Sequence, residues 1–205
     1  MDLYYTPGAC SLAPHIVARE AGLPLNPVRV DLATRTTEDG RDFKAINPKR
    51  YVPALGLPEG GVLTEVAAIL QYLVDRAPEA GLAPAAGTLA RYRFVESLVF
   101  VSSEIHKGFG PLWNPATPDA VRQATVEKLQ ARFAHLDAHL AGDAYLLGDA
   151  YSAADAYLFT VMGWAAYHKV DISAHRNLQA YLGRIAARPA VQAAMKAEGI
   201  LKEAA

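Results

Sequence analysis

From Ala77 to Gly87 the chain reads Ala-Pro-Glu-Ala-Gly-Leu-Ala-Pro-Ala-Ala-Gly, a stretch through which neither helix nor strand propagates. The pattern differs on its two sides. Before it, short apolar runs alternate with turn residues. Leu3 to Tyr5 runs into Thr6-Pro7-Gly8 as a strand ending in a turn. Pro14 suits the first turn of a helix that continues over His15 to Ala21 and stops at Gly22-Leu23-Pro24, and Val28 to Val30 gives a second strand. Asn47-Pro48-Lys49 and Pro53 bracket a loop into Ala54 to Leu57, which Gly60-Gly61 turns back into Val62-Leu63. Val66, Ile69, Leu70 and Leu73 then mark one helix face. Beyond the break every pattern is helical: Thr88 to about Phe109, Asp119 to Leu140, an apolar run after Ser152-Ala153-Ala154-Asp155, a helix marked by Leu178, Tyr181, Leu182 and Ile185, and a last one from Pro189. The reading is a β-α-β then β-β-α domain over residues 1–78, a linker over 79–87, and an all-helical domain over 88–205.

With 52% hydrophobic residues the chain has ample material for two cores. Twenty Lys+Arg against 21 Asp+Glu, with no basic run, argue against nucleic-acid binding. No acidic tail or polybasic membrane patch stands out, and the longest nearly apolar stretch, Ala156 to Tyr167, falls short of the roughly 20 residues that span a bilayer. The start, Met1-Asp2-Leu3-Tyr4-Tyr5, lacks the features of a signal peptide. A single cysteine excludes an internal disulfide. Together these features lead us to expect a cytoplasmic protein.

That cysteine, Cys10, falls at the turn between the first strand and the first helix of a thioredoxin-type layout. Helix N-terminal N–H groups favour a thiolate there, and a pKa lowered from about 8.5 to about 6.5 would raise the ionised fraction at pH 7 from about 3% to about 75%. A buried, inert thiol is the equal alternative. Ala at position 13 removes a Cys-x-x-Cys pair, so a redox cycle would need an external thiol. In Tyr51-Val52-Pro53 a cis proline would turn the backbone groups of Val52 outward to meet an extended peptide, unless the proline merely starts a strand. Thr64-Glu65-Val66 opens a helix whose free N–H groups form an anion site. Glu65 alone is explained by the helix dipole, although a ligand with a carboxylate and an ammonium on one carbon would use both the N–H groups and this side chain.

Four segments, Tyr4-Tyr5-Thr6-Pro7-Gly8-Ala9-Cys10-Ser11-Leu12, Asn47-Pro48-Lys49-Arg50-Tyr51-Val52-Pro53-Ala54-Leu55, Glu104-Ile105-His106-Lys107 and Ser152-Ala153-Ala154-Asp155-Ala156-Tyr157, together resemble the bacterial beta-class glutathione transferases. The resemblance runs the length of the chain. It implies the glutathione transferase fold, a thioredoxin-like domain followed by a helical one, a homodimer, and glutathione as co-substrate without a metal. The γ-glutamyl end would sit at Glu65 and the backbone of Val66, the cysteinyl backbone would pair with Val52 before cis-Pro53, and the thiol would lie beside Cys10. Arg35 or Lys107 would meet the glycyl carboxylate, unless these are simply solvated charges. His106, near Cys10 in the family's layout, would handle a thiol proton. Tyr5, Ser11, Ser103 and Glu104 rank lower. Phe109, Trp113, Tyr157 and Trp164 are candidate walls of an electrophile pocket, with core packing as the default. Ser152 and Asp155 are assigned to folding.

The implied activity is conjugation of the glutathione thiol to small hydrophobic electrophiles, with thiol–disulfide exchange through Cys10 as a second activity. The alternatives are a glutathione-dependent dehalogenase or isomerase, or a non-catalytic binding protein. Three positions depart from the family pattern: Val66 stands for Ser or Gly, Arg50 for a glycine whose φ it must either avoid or adopt under strain, and Val99 for a polar residue.

Overall fold

The computed structural model describes residues 1–201. They form two compact units, one comprising Met1–Leu82 and the segment from Arg188 onward, the other Ala83–Ala187.

In the first unit, β1 (Asp2–Tyr5), β2 (Asn26–Asp31), β3 (Thr36–Thr37), β4 (Ala54–Gly56) and β5 (Val62–Thr64) make one sheet in the order β3-β2-β1-β4-β5. β1 runs parallel to β2, as the crossover through α1 (Leu12–Glu20) requires, and antiparallel to β4. Ile16, Val17, Ile69, Leu70 and Leu73 are fully buried along α1 and α3 (Val66–Arg76). On the other side Tyr4, Val28, Val30, Val52 and Ala54 pack with Phe43 of the single-turn α2 (Phe43–Ile46). The polar stretch 31–46 carries no apolar period, and there the two-residue β3 and α2 arise from local bonds: the Asp42 side chain accepts from Lys44 N–H and starts the turn.

The final helix, α8 (Pro189–Ala197), packs on α1 within this first unit, whereas the sequence grouped it with the helices before it. Arg188 reaches Glu20 through two bonds of 2.6 and 2.9 Å. Farther on, the buried Glu198 meets His15 Nδ1 at 2.9 Å and accepts from the Gly8 N–H at 3.0 Å.

The second unit holds α4 (Leu89–Phe100), α5 (Asp119–His139), α6 (Ala153–Tyr167) and α7 (Arg176–Ala186). The expected long helix over 88–109 keeps its α-geometry only to Phe100. It widens into a π-turn over Val101–His106 and tightens into 3₁₀ geometry over Lys107–Trp113. Gly108, within the 3₁₀ stretch, lies close against α5: a Cβ there would lie 2.9 Å from the Leu129 side chain. Asp155 anchors α6 from a fully buried position, accepting from the Ser152 N–H and hydroxyl, the Leu146 N–H and the Tyr181 hydroxyl at 2.8–2.9 Å.

Candidate functional site

In the first unit the chemistry gathers on the loops at the ends of β1, β4 and β5. The turn after β1 is closed on itself, because the Ser11 hydroxyl donates to the Thr6 carbonyl (3.3 Å) and accepts from the Thr6 N–H (3.2 Å). Ser11 is fully buried, and its hydroxyl holds the turn. Tyr5 is buried beside His15, and burial raises its phenol pKa. Neither hydroxyl is presented as an exposed acid.

Cys10, 8% exposed, sits at the start of α1, and its thiol donates to the Val52 carbonyl at 3.3 Å. Two of the expected residues, 42 positions apart in sequence, are thus in direct contact. The outcome for acidity is the reverse of the helix-terminus argument. The N–H groups of Cys10 and Ser11 do favour the thiolate, but burial outweighs them and pushes the thiol up to about 12. Cys10 is therefore held as a thiol at neutral pH.

The Val52–Pro53 peptide is cis. The loop before it is set by Asn47, which is 2% exposed: its side chain accepts from the Lys49 N–H and donates to the Tyr51 carbonyl. Arg50 occupies the left-handed region at φ 62, so of the two outcomes weighed for this departure the chain takes the strained one. Its carbonyl accepts a 2.6 Å bond from Arg35, itself exposed and at φ 60.

Glu65 stands just before α3 with φ 69. Its Oε1 accepts from Lys49 Nζ at 2.8 Å and from the Tyr51 hydroxyl at 2.7 Å. The following residue, Val66, is buried and opens the helix, where first-turn N–H groups lack intrahelical acceptors. Lys49 and Tyr51 belong to a quoted motif, yet nothing in their spacing marks them as partners of a carboxylate 14 to 16 positions away.

In the second unit His106 Nδ1 lies 2.7 Å from the hydroxyl of the buried Tyr157, and its ring stands edge-on to Trp164 at 4.9 Å. Lys107 is exposed. Glu104 is engaged by Arg132, and the Ser103 hydroxyl donates to the Val99 carbonyl one helical turn back. These bonds give Glu104 and Ser103 structural employment. Phe109 and Tyr157 are core residues, while Trp113 is 47% exposed and stacks on the exposed Tyr167 at 5.3 Å. Among the described residues no cluster of three or more His, Cys, Asp or Glu side chains is placed to hold a metal ion, and no helix is long and apolar enough to cross a membrane.

The comparisons with known proteins agree across the whole chain. Residues 8–76 match the family model for the glutathione S-transferase N-terminal domain, and residues 100–189 match that for the C-terminal domain. Glutathione S-transferase GstA of Escherichia coli O157:H7 is 41% identical over 200 residues, covering 98% of this chain and all of that one. Among solved structures, a glutathione transferase from Methylococcus capsulatus is 57% identical with a TM-score of 0.96, covering 98% of this chain and 99% of that one. A sphingomonad glutathione S-transferase complexed with glutathione is 51% identical (TM-score 0.95; 98% and 100% covered), and a beta class enzyme from Sphingomonas chungbukensis is 49% identical (TM-score 0.95; 98% and 100% covered).

Proposed function

The chain belongs to the glutathione S-transferase family and is a glutathione transferase; from that premise we propose how its residues divide the work and that Cys10 adds a second, thiol-exchanging activity. The observation that carries the proposal is the meeting of the Cys10 thiol with the carbonyl that precedes cis-Pro53. An extended tripeptide that pairs its cysteinyl N–H with Val52 brings its own sulfur to the neighbourhood of Cys10. Its γ-glutamyl ammonium then falls to Glu65 and its γ-glutamyl carboxylate to the N–H groups that open α3 at Val66. Arg35 takes the glycyl carboxylate, exchanging its bond to the Arg50 carbonyl for a charge-assisted one.

For conjugation, the donors around the bound sulfur favour its thiolate, which attacks a small hydrophobic electrophile and displaces the leaving group or adds to the double bond. The family resemblance puts His106 forward as the acceptor of the glutathione thiol proton; within the second unit Tyr157 fixes its ring through Nδ1. Trp164 and Trp113 offer apolar surface to the electrophile.

For exchange, the Cys10 thiolate attacks the glutathionyl sulfur of a mixed disulfide between glutathione and another thiol. The S–S bond breaks, the other thiolate leaves with the electron pair, and Cys10 retains the glutathione as a mixed disulfide. A glutathione thiolate then attacks that glutathionyl sulfur, forming glutathione disulfide and releasing the Cys10 thiolate, so each turnover converts one mixed disulfide and one glutathione thiolate into a free thiolate and glutathione disulfide.

The assembly we propose is a homodimer. Leu89, Tyr92 and Val99 of α4 are 53–73% exposed, an apolar stripe suited to a second copy. Sedimentation at micromolar concentration should return twice 22.0 kDa. Assays across aryl halides, unsaturated carbonyls and mixed disulfides test the functional reading. Turnover of the first two by wild type, with exchange lost in Cys10→Ala, supports it, and an inert wild-type protein refutes it.

A further inference from the structure

Glu65, the carboxylate read above as the seat of the ligand's ammonium, already holds an ammonium. Lys49 Nζ lies 2.8 Å from Glu65 Oε1 and 2.9 Å from the Thr64 hydroxyl. The Tyr51 hydroxyl donates to the same Oε1 at 2.7 Å, and the lysine ammonium stands 5.9 Å from the Tyr51 ring centroid. Both side chains of the ion pair are about half exposed, 49% for Lys49 and 58% for Glu65. Their loop is not loose: Asn47 bonds to both the Lys49 N–H and the Tyr51 carbonyl, and Arg50 makes the left-handed turn between them.

We infer that Lys49 is a displaceable stand-in for the ammonium of the incoming γ-glutamyl group, and that Tyr51 is a positioning residue that keeps Glu65 aimed while the two ammonium groups exchange. The inference rests on the reading of Glu65 as part of the glutathione site. A primary ammonium on a lysine and one on an amino acid carry the same charge and the same three donors. A half-exposed ion pair contributes little, so its displacement is inexpensive. The exchange is selective all the same. A ligand whose amine is missing has nothing with which to displace Lys49 and meets a carboxylate already paired. The hydroxyl of Tyr51, by contrast, does not compete in charge, and it restrains the carboxylate throughout.

The test is calorimetric titration with S-methylglutathione, which cannot enter thiol exchange, and with its analogue lacking the α-amino group. Lys49→Met should tighten S-methylglutathione binding by about two- to fivefold, the range set by an exposed ion pair, and leave the deaminated analogue unchanged. Lys49→Arg should restore wild-type affinity for both. Tyr51→Phe should weaken S-methylglutathione by about fivefold or more, since a hydrogen bond to a charged group is lost, and should raise KM for glutathione at constant kcat. Weaker binding in Lys49→Met would make Lys49 a direct contact of the ligand and overturn the proposal, as would unchanged binding. If wild type bound neither compound, the assignment of the glutathione site itself would fall, an outcome distinct from a wild type that binds and a Lys49→Met variant that behaves like it.

Discussion

Two helix N-termini in the first unit carry residues of the same proposed site, and they are built on opposite principles. At α1 the functional group is buried, and removal of water outweighs the helix N–H groups that would ionise it. At α3 the functional group is a half-exposed carboxylate held by a lysine and a tyrosine. One end is kept neutral by exclusion of solvent, the other is paired by neighbours that water can reach. A helix N-terminus therefore does not by itself define an acidity. The depth at which the side chain sits decides whether the dipole or desolvation prevails.

Removing each feature in turn tests that contrast. The largest effect belongs to Cys10→Ala, which should abolish exchange with a mixed disulfide of glutathione, a loss beyond about a thousandfold for a nucleophile with no substitute, measured as formation of glutathione disulfide in a reductase-coupled assay. Nearly as large is the pH response of the ligand-free thiol. Because its pKa is raised, the thiolate fraction grows with pH up to that value, so iodoacetamide labelling of Cys10 should accelerate about tenfold per pH unit from pH 7 to 10. A plateau near pH 7 would mean that the dipole had won at α1. Glu65→Gln, which keeps the shape but not the charge at α3, should raise KM for glutathione by about tenfold or more, and high salt should shrink the difference because the site is exposed. Smallest is Ser11→Ala. It removes two weak bonds that close the Thr6–Ser11 turn and should cost about 1–2 kcal/mol in urea denaturation, with conjugation largely retained.

The parts of the molecule that could be read from sequence are those where Pro, Gly and apolar periodicity agree. Gly22-Leu23-Pro24 and Gly60-Gly61 mark real ends, and Val66, Ile69, Leu70 and Leu73 are all buried. What escaped mostly depends on residues far away in the chain, with β3 and α2, which rest on local polar bonds, as the exception. The period of α4 continues smoothly past Phe100, and the departure from α-geometry accompanies packing at Gly108 against Leu129, some twenty positions on. The spacing of Cys10 placed it at a helix start but said nothing of the water around it. Glu198 lies 183 positions from His15 and 190 from Gly8, so no local pattern announces that the end of the chain holds the turn before Cys10.

That last contact bears on how the protein is made. A ribosome releases residues 1–82 well before residues 188–201, and domains generally fold as they emerge. Here α1 waits for α8: the partners of Glu20, His15 and the Gly8 N–H are synthesised only after the whole second unit. The turn that precedes Cys10 therefore receives its bond to Glu198 last, and an unfinished chain carries Cys10 beside a helix that has yet to receive its final cover.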